Sequence, residues 1–192
     1  MSVAPAIPPS YRMTFADWLR FPDDGRLYEL LGGELYLAPR PSILHQRLSR
    51  NIGIKLFLFL DQGQRGEILN APVGVRISDD DVLEPDLLVV LAEHAYRVRE
   101  QYVEAPPDLV VEILSPGTAG RDIGTKRRLY ESAAVPEYWI VDPEGRAVEV
   151  LVLEDGRYRR FGLFRRKDTL RSQVLEGFEL ALDEVFPAEG SH

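Results

Sequence analysis

The stretch Leu109-Val-Val-Glu-Ile-Leu114 places one carboxylate, that of Glu112, inside a nearly continuous apolar run. Such a run is typical of a central β-strand that is covered on both faces. Burying a carboxylate in this setting costs free energy unless a cation or strong hydrogen-bond donors compensate it. We therefore predict a positive group beside Glu112. The alternative is a half-exposed strand on which Glu112 faces water.

A second acid, Asp86, stands between Pro85 and the apolar run Leu87–Leu91. Alone, Asp86 could be no more than a turn residue before a strand. The two acids together are more informative, because carboxylates on neighbouring central strands repel each other in a low dielectric. A shared Mg²⁺ or Mn²⁺ relieves that repulsion with the oxygen ligands these ions prefer. The pair therefore predicts a divalent-metal site held by Asp86 and Glu112.

Lys126 is the candidate for a catalytic cation at this site. It lies four residues after Asp122 on a predicted helix over about 121–134, so the two side chains share one face of that helix. An ion pair between them is one interpretation. The other directs Lys126 into the metal site, where it would orient or activate a water and neutralise charge on a developing phosphorane. Spacing leaves both open.

The remaining patterns predict an α/β fold with a mixed central β-sheet and a helix on either side. Two strand-like runs, 27–31 and 34–38, flank Gly32-Gly33 as in a β-hairpin. A long amphipathic helix, capped by Ser42 and ended by Gly63, is indicated by apolar residues at every fourth position: Leu44, Leu48, Ile52, Leu56 and Leu60. Further strands are predicted at 67–70, 73–77, 86–91, 108–114, 138–141, 148–153 and 158–163, and a short helix at 181–186.

Length and composition narrow the class of protein. With 192 residues and 45% hydrophobic content, we expect one domain over 11–188 after a disordered lead at 1–10. No cysteine is present, and three scattered histidines make a histidine-built zinc site improbable. The chain shows neither a secretory signal nor a bilayer-length apolar run, so a cytoplasmic location without membrane insertion is expected.

The net charge of −8 argues against a protein that coats nucleic acid through bulk electrostatics. Basic residues are nevertheless concentrated in two segments, where they could contact a nucleic-acid backbone without reading its sequence. A solvated strand edge protected by charge explains the second segment equally well. The candidates are Arg121, Arg127 and Arg128 in one segment and Arg159, Arg160, Arg165, Arg166 and Lys167 in the other.

Three blocks of sequence, in the same order, closely resemble the Uma2 (DUF820) family of the PD-(D/E)XK restriction-endonuclease-like superfamily. The resemblance extends over about 15–186. It is carried by Glu84-Pro-Asp-Leu-Leu-Val-Val90, by Val111-Glu-Ile-Leu-Ser-Pro116 with Thr118, Asp122, Lys126 and Tyr130, and by Val135-Pro-Glu-Tyr-Trp-Ile-Val-Asp-Pro143. The Tyr28–Glu34 hairpin and His45 at the start of the long helix also look like this family.

The resemblance implies a restriction-endonuclease-like core with additional β-hairpins and a metal-dependent nuclease site in which Asp86 and Glu112 are ligands. The sequence departs from the plain motif at Leu114, where a lysine would stand, and Lys126 is the expected substitute. His45, Glu34 and Asp122 are candidates for additional residues at the periphery of the metal site. His45 and Glu34 could equally be surface residues.

Three functions remain open at this stage. The first is Mg²⁺- or Mn²⁺-dependent hydrolysis of DNA phosphodiester bonds, with Asp86, Glu112 and Lys126 as catalytic residues. The second is a catalytically idle interaction or structural protein, which could form a homodimer. The acidic net charge and the displaced lysine favour this second function. The third is a hydrolase of a small phosphorylated compound, since fold does not determine function.

Overall fold

The structure is a computed structural model that describes residues 11–22, 24–115 and 119–186, with the backbone alone at 119–123. The predicted lead at 1–10 and the end of the predicted domain at 187–188 lie outside these residues. Within them, no helix is long and apolar enough to cross a membrane.

Four α-helices and thirteen strands form the described part of the chain. In chain order they are α1 (Phe15–Trp18), β1 (Tyr28–Leu31), β2 (Glu34–Leu37), α2 (Ile43–Asp61), β3 (Gly66–Asn70), β4 (Gly74–Arg76), β5 (Val82–Leu83), β6 (Leu87–Leu91), β7 (Tyr102–Val103), β8 (Leu109–Ile113), α3 (Ala119–Ser132), β9 (Glu137–Asp142), β10 (Ala147–Glu154), β11 (Arg157–Arg165), β12 (Thr169–Arg171), β13 (Glu179–Ala181) and α4 (Leu182–Val185). A 3₁₀ helix, Ala92–Arg97, follows β6.

The central sheet has six strands in the order β11-β10-β9-β8-β6-β3. Strands β8 and β9 are parallel, whereas the other neighbours are antiparallel, so the predicted mixed sheet is confirmed. All five residues of β8 are buried, as their apolar character predicts for a strand covered on both faces.

Each face of this sheet packs against a different set of elements. Helix α2 covers one face, and its buried residues Leu48, Ile52 and Leu56 pack against alternate residues of β6 and β8. The other face carries Tyr130 of α3 together with strands of a second sheet. The prediction of a helix on either side of the sheet is therefore confirmed.

The second sheet has the order β2-β1-β5-β4-β7 and contains the predicted Gly32-Gly33 hairpin. Both turn glycines have positive φ values, 61° and 77°, which L side chains rarely adopt. Strands β5 and β7 were not predicted, because two apolar residues in a row carry no periodic signal. The sheet brings β1 against the face that carries Glu112.

Helix α2 begins where the sequence predicted but ends earlier. The side chain of Ser42 accepts a hydrogen bond from the backbone N–H of His45 at 3.1 Å, which caps the first turn. The helix ends at Asp61, and its C-cap is Gln62 rather than Gly63. The left-handed residue that reverses the chain is Gln64, with a φ of 49°.

Glu137 is a fully buried carboxylate that joins the central sheet to the C-terminal segment. Its Oε1 accepts a hydrogen bond from Trp139 Nε1 at 2.6 Å. Its Oε2 accepts bonds from the backbone N–H groups of Gln173 and Val174 at 2.7 and 3.0 Å. One side chain therefore satisfies three buried or half-buried donors.

We expect Glu137→Gln to lower the free energy of unfolding by about 1–3 kcal/mol, because an amide NH₂ would then face a donor and leave it unsatisfied. Urea denaturation followed by tryptophan fluorescence measures this loss. Glu154→Gln is the matched control, because Glu154 forms an exposed ion pair with Arg159 and its replacement should cost less than about 1 kcal/mol. Equal losses in the two variants would contradict a stabilising role for Glu137.

Candidate functional site

The candidate site is a cavity of about 780 Å³ between the β1–β2 hairpin and helix α2. Its floor carries ionisable side chains from five separate parts of the chain. They are Glu29 on β1, His45 on α2, Asp86 just before β6, Glu112 on β8 and Lys126 on α3. The structure therefore brings Asp86, Glu112, Lys126 and His45, all identified from the sequence, into one cavity.

Glu112 and Lys126 form a buried ion pair at the centre of this floor. Lys126 Nζ donates to both carboxylate oxygens of Glu112, at 3.0 and 3.1 Å. The Tyr130 hydroxyl donates to Glu112 Oε1 at 2.8 Å, which fixes the carboxylate from the same helix. Glu112 is only 8% exposed, so the alternative that it faces water is wrong. The positive group predicted beside it is the Lys126 ammonium.

Asp86 lies across from Glu112 on the neighbouring strand. Leu87 pairs with Val111 in the antiparallel register of β6 and β8, and continuing that register by one residue sets Asp86 opposite Glu112. Asp86 Oδ2 accepts a hydrogen bond from the backbone N–H of Ile113 at 2.7 Å and contacts His45 Nε2 at 3.1 Å. Asp86 is therefore more than a turn residue, since it links β8 to the first turn of α2.

Glu29 is a site residue that the sequence patterns did not single out. Its Oε1 lies 2.8 Å from Lys126 Nζ and accepts the backbone N–H of Glu84 at 2.9 Å. Glu29 is 6% exposed and stands between the apolar residues Tyr28 and Leu30. A carboxylate within an apolar strand was the signal that identified Glu112, and the same test applied to β1 would have found Glu29.

Glu34 is the hairpin acid that was predicted near the site, but it does not line the cavity. It is exposed on β2, opposite Leu31, and its carboxylate accepts a hydrogen bond from the Tyr36 hydroxyl at 3.1 Å. The two acids share a face of the hairpin, but Glu34 lies beside the Gly32-Gly33 turn, two residue pairs further along than Glu29, which pairs with Tyr36. Asp122 was also predicted at the periphery of the site, but the structure describes only its backbone.

Burial and neighbouring charges shift the pKa values of Glu112, Lys126 and His45. Burial raises the pKa of Glu112 to about 7, against the opposing charge of Lys126. Burial alone would lower the pKa of Lys126, but the charges of Glu112 and Glu29 outweigh it and raise that pKa, so the ammonium stays charged. Burial acts to lower the pKa of His45, but its hydrogen bond to Asp86 together with the negative charges of Asp86 and Glu112 outweighs burial and raises that pKa.

The donor set of this cavity fits a hard divalent cation. Among the described residues no group of three or more His, Asp or Glu side chains is arranged to hold a metal. Mg²⁺ needs no such group, because it commonly binds through one or two carboxylates plus waters and substrate phosphates. Asp86 and Glu112 supply two carboxylates. The Tyr138 hydroxyl, which also lines the cavity, is buried with no partner among the described residues, as expected where a group from outside the chain completes a site.

None of the described basic residues predicted to contact a nucleic-acid backbone lines the cavity. Strand β11 is separated from β8 by two strands of the central sheet, so the two lie roughly 14 Å apart. Arg159 and Arg160 form ion pairs with Glu154 and Glu149. The side chain of Arg121 lies outside the described residues. Backbone contacts by Arg127, Arg128, Arg165, Arg166 and Lys167 stay a prediction.

Similarity to known proteins identifies the family and the fold of this chain. A family model described as "Uma2: Putative restriction endonuclease" matches residues 15–183. The chain is similar to the crystal structure of "a putative nuclease belonging to DUF820" from Anabaena variabilis ATCC 29413, with a TM-score of 0.76 and 16% identity, covering 91% of this chain and 97% of that chain. Among curated proteins no significant match is found. At this identity the structural likeness shows the fold alone, and it confirms the predicted restriction-endonuclease-like core.

We expect Lys126→Met to lower the free energy of unfolding at pH 8 by roughly 3–5 kcal/mol, because Glu112 and Glu29 would remain buried without their cation. The loss should shrink as the pH falls from 8 to 7, since Lys126 holds the pKa of Glu112 down and without it Glu112 takes up a proton at a higher pH and becomes neutral. Thermal unfolding at both pH values measures this change.

Lys55→Met is the control for this experiment, because Lys55 forms a half-exposed ion pair with Glu184 at the surface. Its loss should stay below about 1 kcal/mol at either pH. The double variant Glu112→Gln/Lys126→Met should recover part of the stability. A Lys126→Met variant as stable as the parent at pH 8 would show that the ion pair does not support the fold.

Proposed function

Because the chain belongs to the Uma2 family, we propose that it is a divalent-metal-dependent nuclease that hydrolyses DNA phosphodiester bonds. The observation that carries this proposal is the meeting of Asp86, Glu112 and Lys126 in one cavity. Two facing carboxylates with a buried ammonium beside them form an arrangement suited to metal-assisted phosphoryl chemistry.

Asp86 and Glu112 would hold Mg²⁺ or Mn²⁺ in this cavity. When bound, such an ion lowers the pKa of a coordinated water and offsets negative charge on the scissile phosphate. Both carboxylates are supported by groups of the chain itself. The backbone N–H of Ile113 and the His45 ring orient Asp86, and the Tyr130 hydroxyl orients Glu112. Such support keeps the ligands in place before any substrate binds.

Lys126 supplies a fixed positive charge where the phosphorane develops. Its ammonium has three donors, and contacts with Glu112 and Glu29 set its direction. This ammonium can hydrogen-bond a phosphate oxygen or the attacking water by giving up one of its two contacts with Glu112, while Glu29 keeps it in place. Glu29 acts through Lys126 and is therefore a positioning residue in this proposal.

A second candidate is a catalytically idle member of the family that acts as an interaction protein. One observation favours it: Lys126 already contacts both oxygens of Glu112, so the cation that this carboxylate requires is present within the chain. Under this candidate, calorimetry with Mn²⁺ would detect no binding, and the protein would not nick supercoiled plasmid DNA.

We expect Glu112→Gln to abolish Mg²⁺-dependent nicking of supercoiled plasmid while the protein stays folded, because an amide is a poor ligand for a hard cation. Gel electrophoresis of the plasmid measures nicking, and circular dichroism checks the fold. Glu144→Gln, in the exposed turn between β9 and β10, is the matched control and should cleave like the parent. Equal nicking by the Glu112 variant would remove this residue from the mechanism.

We expect Glu29→Gln to lower the turnover number about tenfold with little change in KM, because the weaker amide contact lets Lys126 leave its position. Glu34→Gln, on the same hairpin but outside the cavity, should not change turnover. Steady-state cleavage of a fluorogenic oligonucleotide provides both constants. A larger effect at Glu34 than at Glu29 would reverse the assignment made from the structure.

A further inference from the structure

Arg50 on α2 is a cation of the cavity that forms no ion pair with any carboxylate in the described part of the chain. Among the described residues that line the cavity, the Lys and Arg side chains are Arg50 and Lys126. Lys126 is held between Glu112 and Glu29. The Nε and Nη2 atoms of Arg50 instead donate to a neutral acceptor, Asn51 Oδ1, at 3.2 and 3.0 Å. The positive charge of Arg50 is therefore available to an anion that enters the cavity.

The guanidinium of Arg50 is restrained although its charge is not neutralised. Asn51 Nδ2 donates to the backbone carbonyl of Val185 at 2.9 Å, so the amide that accepts from Arg50 is itself tied to the end of α4. A guanidinium has five N–H donors, and the contacts with Asn51 leave several of them over. Arg50 is also exposed, so a ligand can reach these donors. Their forked geometry suits a phosphate group.

The position of Arg50 along α2 separates it from the two proposed metal ligands. His45, which lies five residues earlier, contacts Asp86 at 3.1 Å. Five residues of an α-helix span about 7.5 Å along its axis. Because the guanidinium is bonded to Asn51, the next residue in the chain, it stays at that level of the helix rather than reaching back to Asp86. A phosphate bound by Arg50 is therefore a different one from the phosphate beside Asp86 and Glu112.

The lining of the cavity between these two places is polar. Gln46 lies one turn before Arg50 on the same face of α2, and Ser49 is next to Arg50. Neither side chain forms a hydrogen bond within the described residues, so both can donate to a ligand. The polar lining thus continues from the ionisable floor along α2 to Arg50.

A substrate that occupies both places needs at least two phosphate groups. One would lie at Asp86 and Glu112, where the proposed cleavage takes place, and the other at Arg50. A nucleic-acid backbone carries a phosphate at every nucleotide, whereas a small compound with one phosphate cannot contact both places. The separation of the two places therefore favours a polynucleotide over the small phosphorylated compound that the sequence left open.

We propose that Arg50 binds a backbone phosphate that flanks the scissile one and so positions the substrate in the cavity. This proposal rests on the proposed function and adds to it a positioning residue and the requirement for a second phosphate. A contact with the backbone attracts DNA without reading its sequence. Arg50 takes no part in bond cleavage.

Binding of fluorescein-labelled oligonucleotides at several salt concentrations tests this role by fluorescence anisotropy. All proteins carry Glu112→Gln and are measured with Mg²⁺, so that the DNA is not cut. We expect Arg50→Met to weaken binding about tenfold for two unrelated sequences alike. It should also reduce the slope of log Kd against log salt concentration by about one, because one phosphate contact is lost.

Two matched variants control this measurement. Arg50→Lys keeps the charge and should keep the salt slope. Lys55→Met removes an equal charge from the same helix, but Lys55 pairs with Glu184 and does not line the cavity. It should change neither the affinity nor the slope.

Steady-state cleavage of an oligonucleotide by proteins that retain Glu112 gives a second readout. Arg50→Met should raise KM about tenfold with little change in the turnover number, because contact with a flanking phosphate is the same in the ground state and in the transition state. Lys55→Met should leave both constants unchanged.

Equal affinities and salt slopes in Arg50→Met and Lys55→Met would overturn the role of Arg50. A loss of affinity in Arg50→Met without a change of slope would overturn it too, since damage to the fold rather than a lost phosphate contact explains that result. In either case, plasmid nicking that depends on Glu112 would leave the nuclease proposal standing. A parent protein that neither binds DNA nor nicks plasmid would remove both proposals together.

Discussion

The contact between the Glu112 carboxylate and the Lys126 ammonium is the constraint on which the arrangement of this protein depends. A carboxylate in the middle of a fully buried strand requires a cation or several hydrogen-bond donors, and Glu112 is compensated by Lys126 and the Tyr130 hydroxyl. The chain meets this requirement by packing α3 and the β1–β2 hairpin on one face of the central sheet, so that Lys126 lies between Glu112 and Glu29. A buried ion pair is weak evidence for stability, but it determines which elements must meet.

The same constraint explains why the side chains of the site belong to helices and strands rather than to long loops. Each ionisable side chain of the floor comes from a strand, a helix or the residue next to one, and each has a second contact that restrains it. Ser42 caps α2 and orders the turn that carries His45, and His45 in turn contacts Asp86. Tyr130 restrains Glu112 in the same way. Groups restrained before substrate binds lose little entropy when they act on it.

Charge is distributed in this protein in a way that net charge alone does not reveal. The basic residues of β11 lie at the edge of the sheet, where Arg157, Arg159 and Arg160 pair with Glu131, Glu154 and Glu149 and protect an unpaired strand. The cavity, in contrast, has an acidic floor on which Lys126 lies between Glu112 and Glu29.

The sequence by itself determined the elements whose signals are local. Apolar runs identified β6 and β8, Gly32-Gly33 identified the hairpin, and a four-residue period identified α2, because each pattern is read within one segment. It also identified Asp86 and Glu112, since a carboxylate beside an apolar run is unusual wherever the strand lies. Family resemblance then selected Lys126 as the third member of the site.

Tertiary structure alone decided the contacts between distant segments. The antiparallel register of β6 and β8 set Asp86 opposite Glu112, and the packing of the hairpin on the central sheet put Glu29, rather than Glu34 beside the turn, in contact with Lys126. The two-residue strands β5 and β7 exist only because neighbouring strands pair with them. Such contacts depend on which faces pack together in the folded chain, and no local spacing in the sequence records that choice.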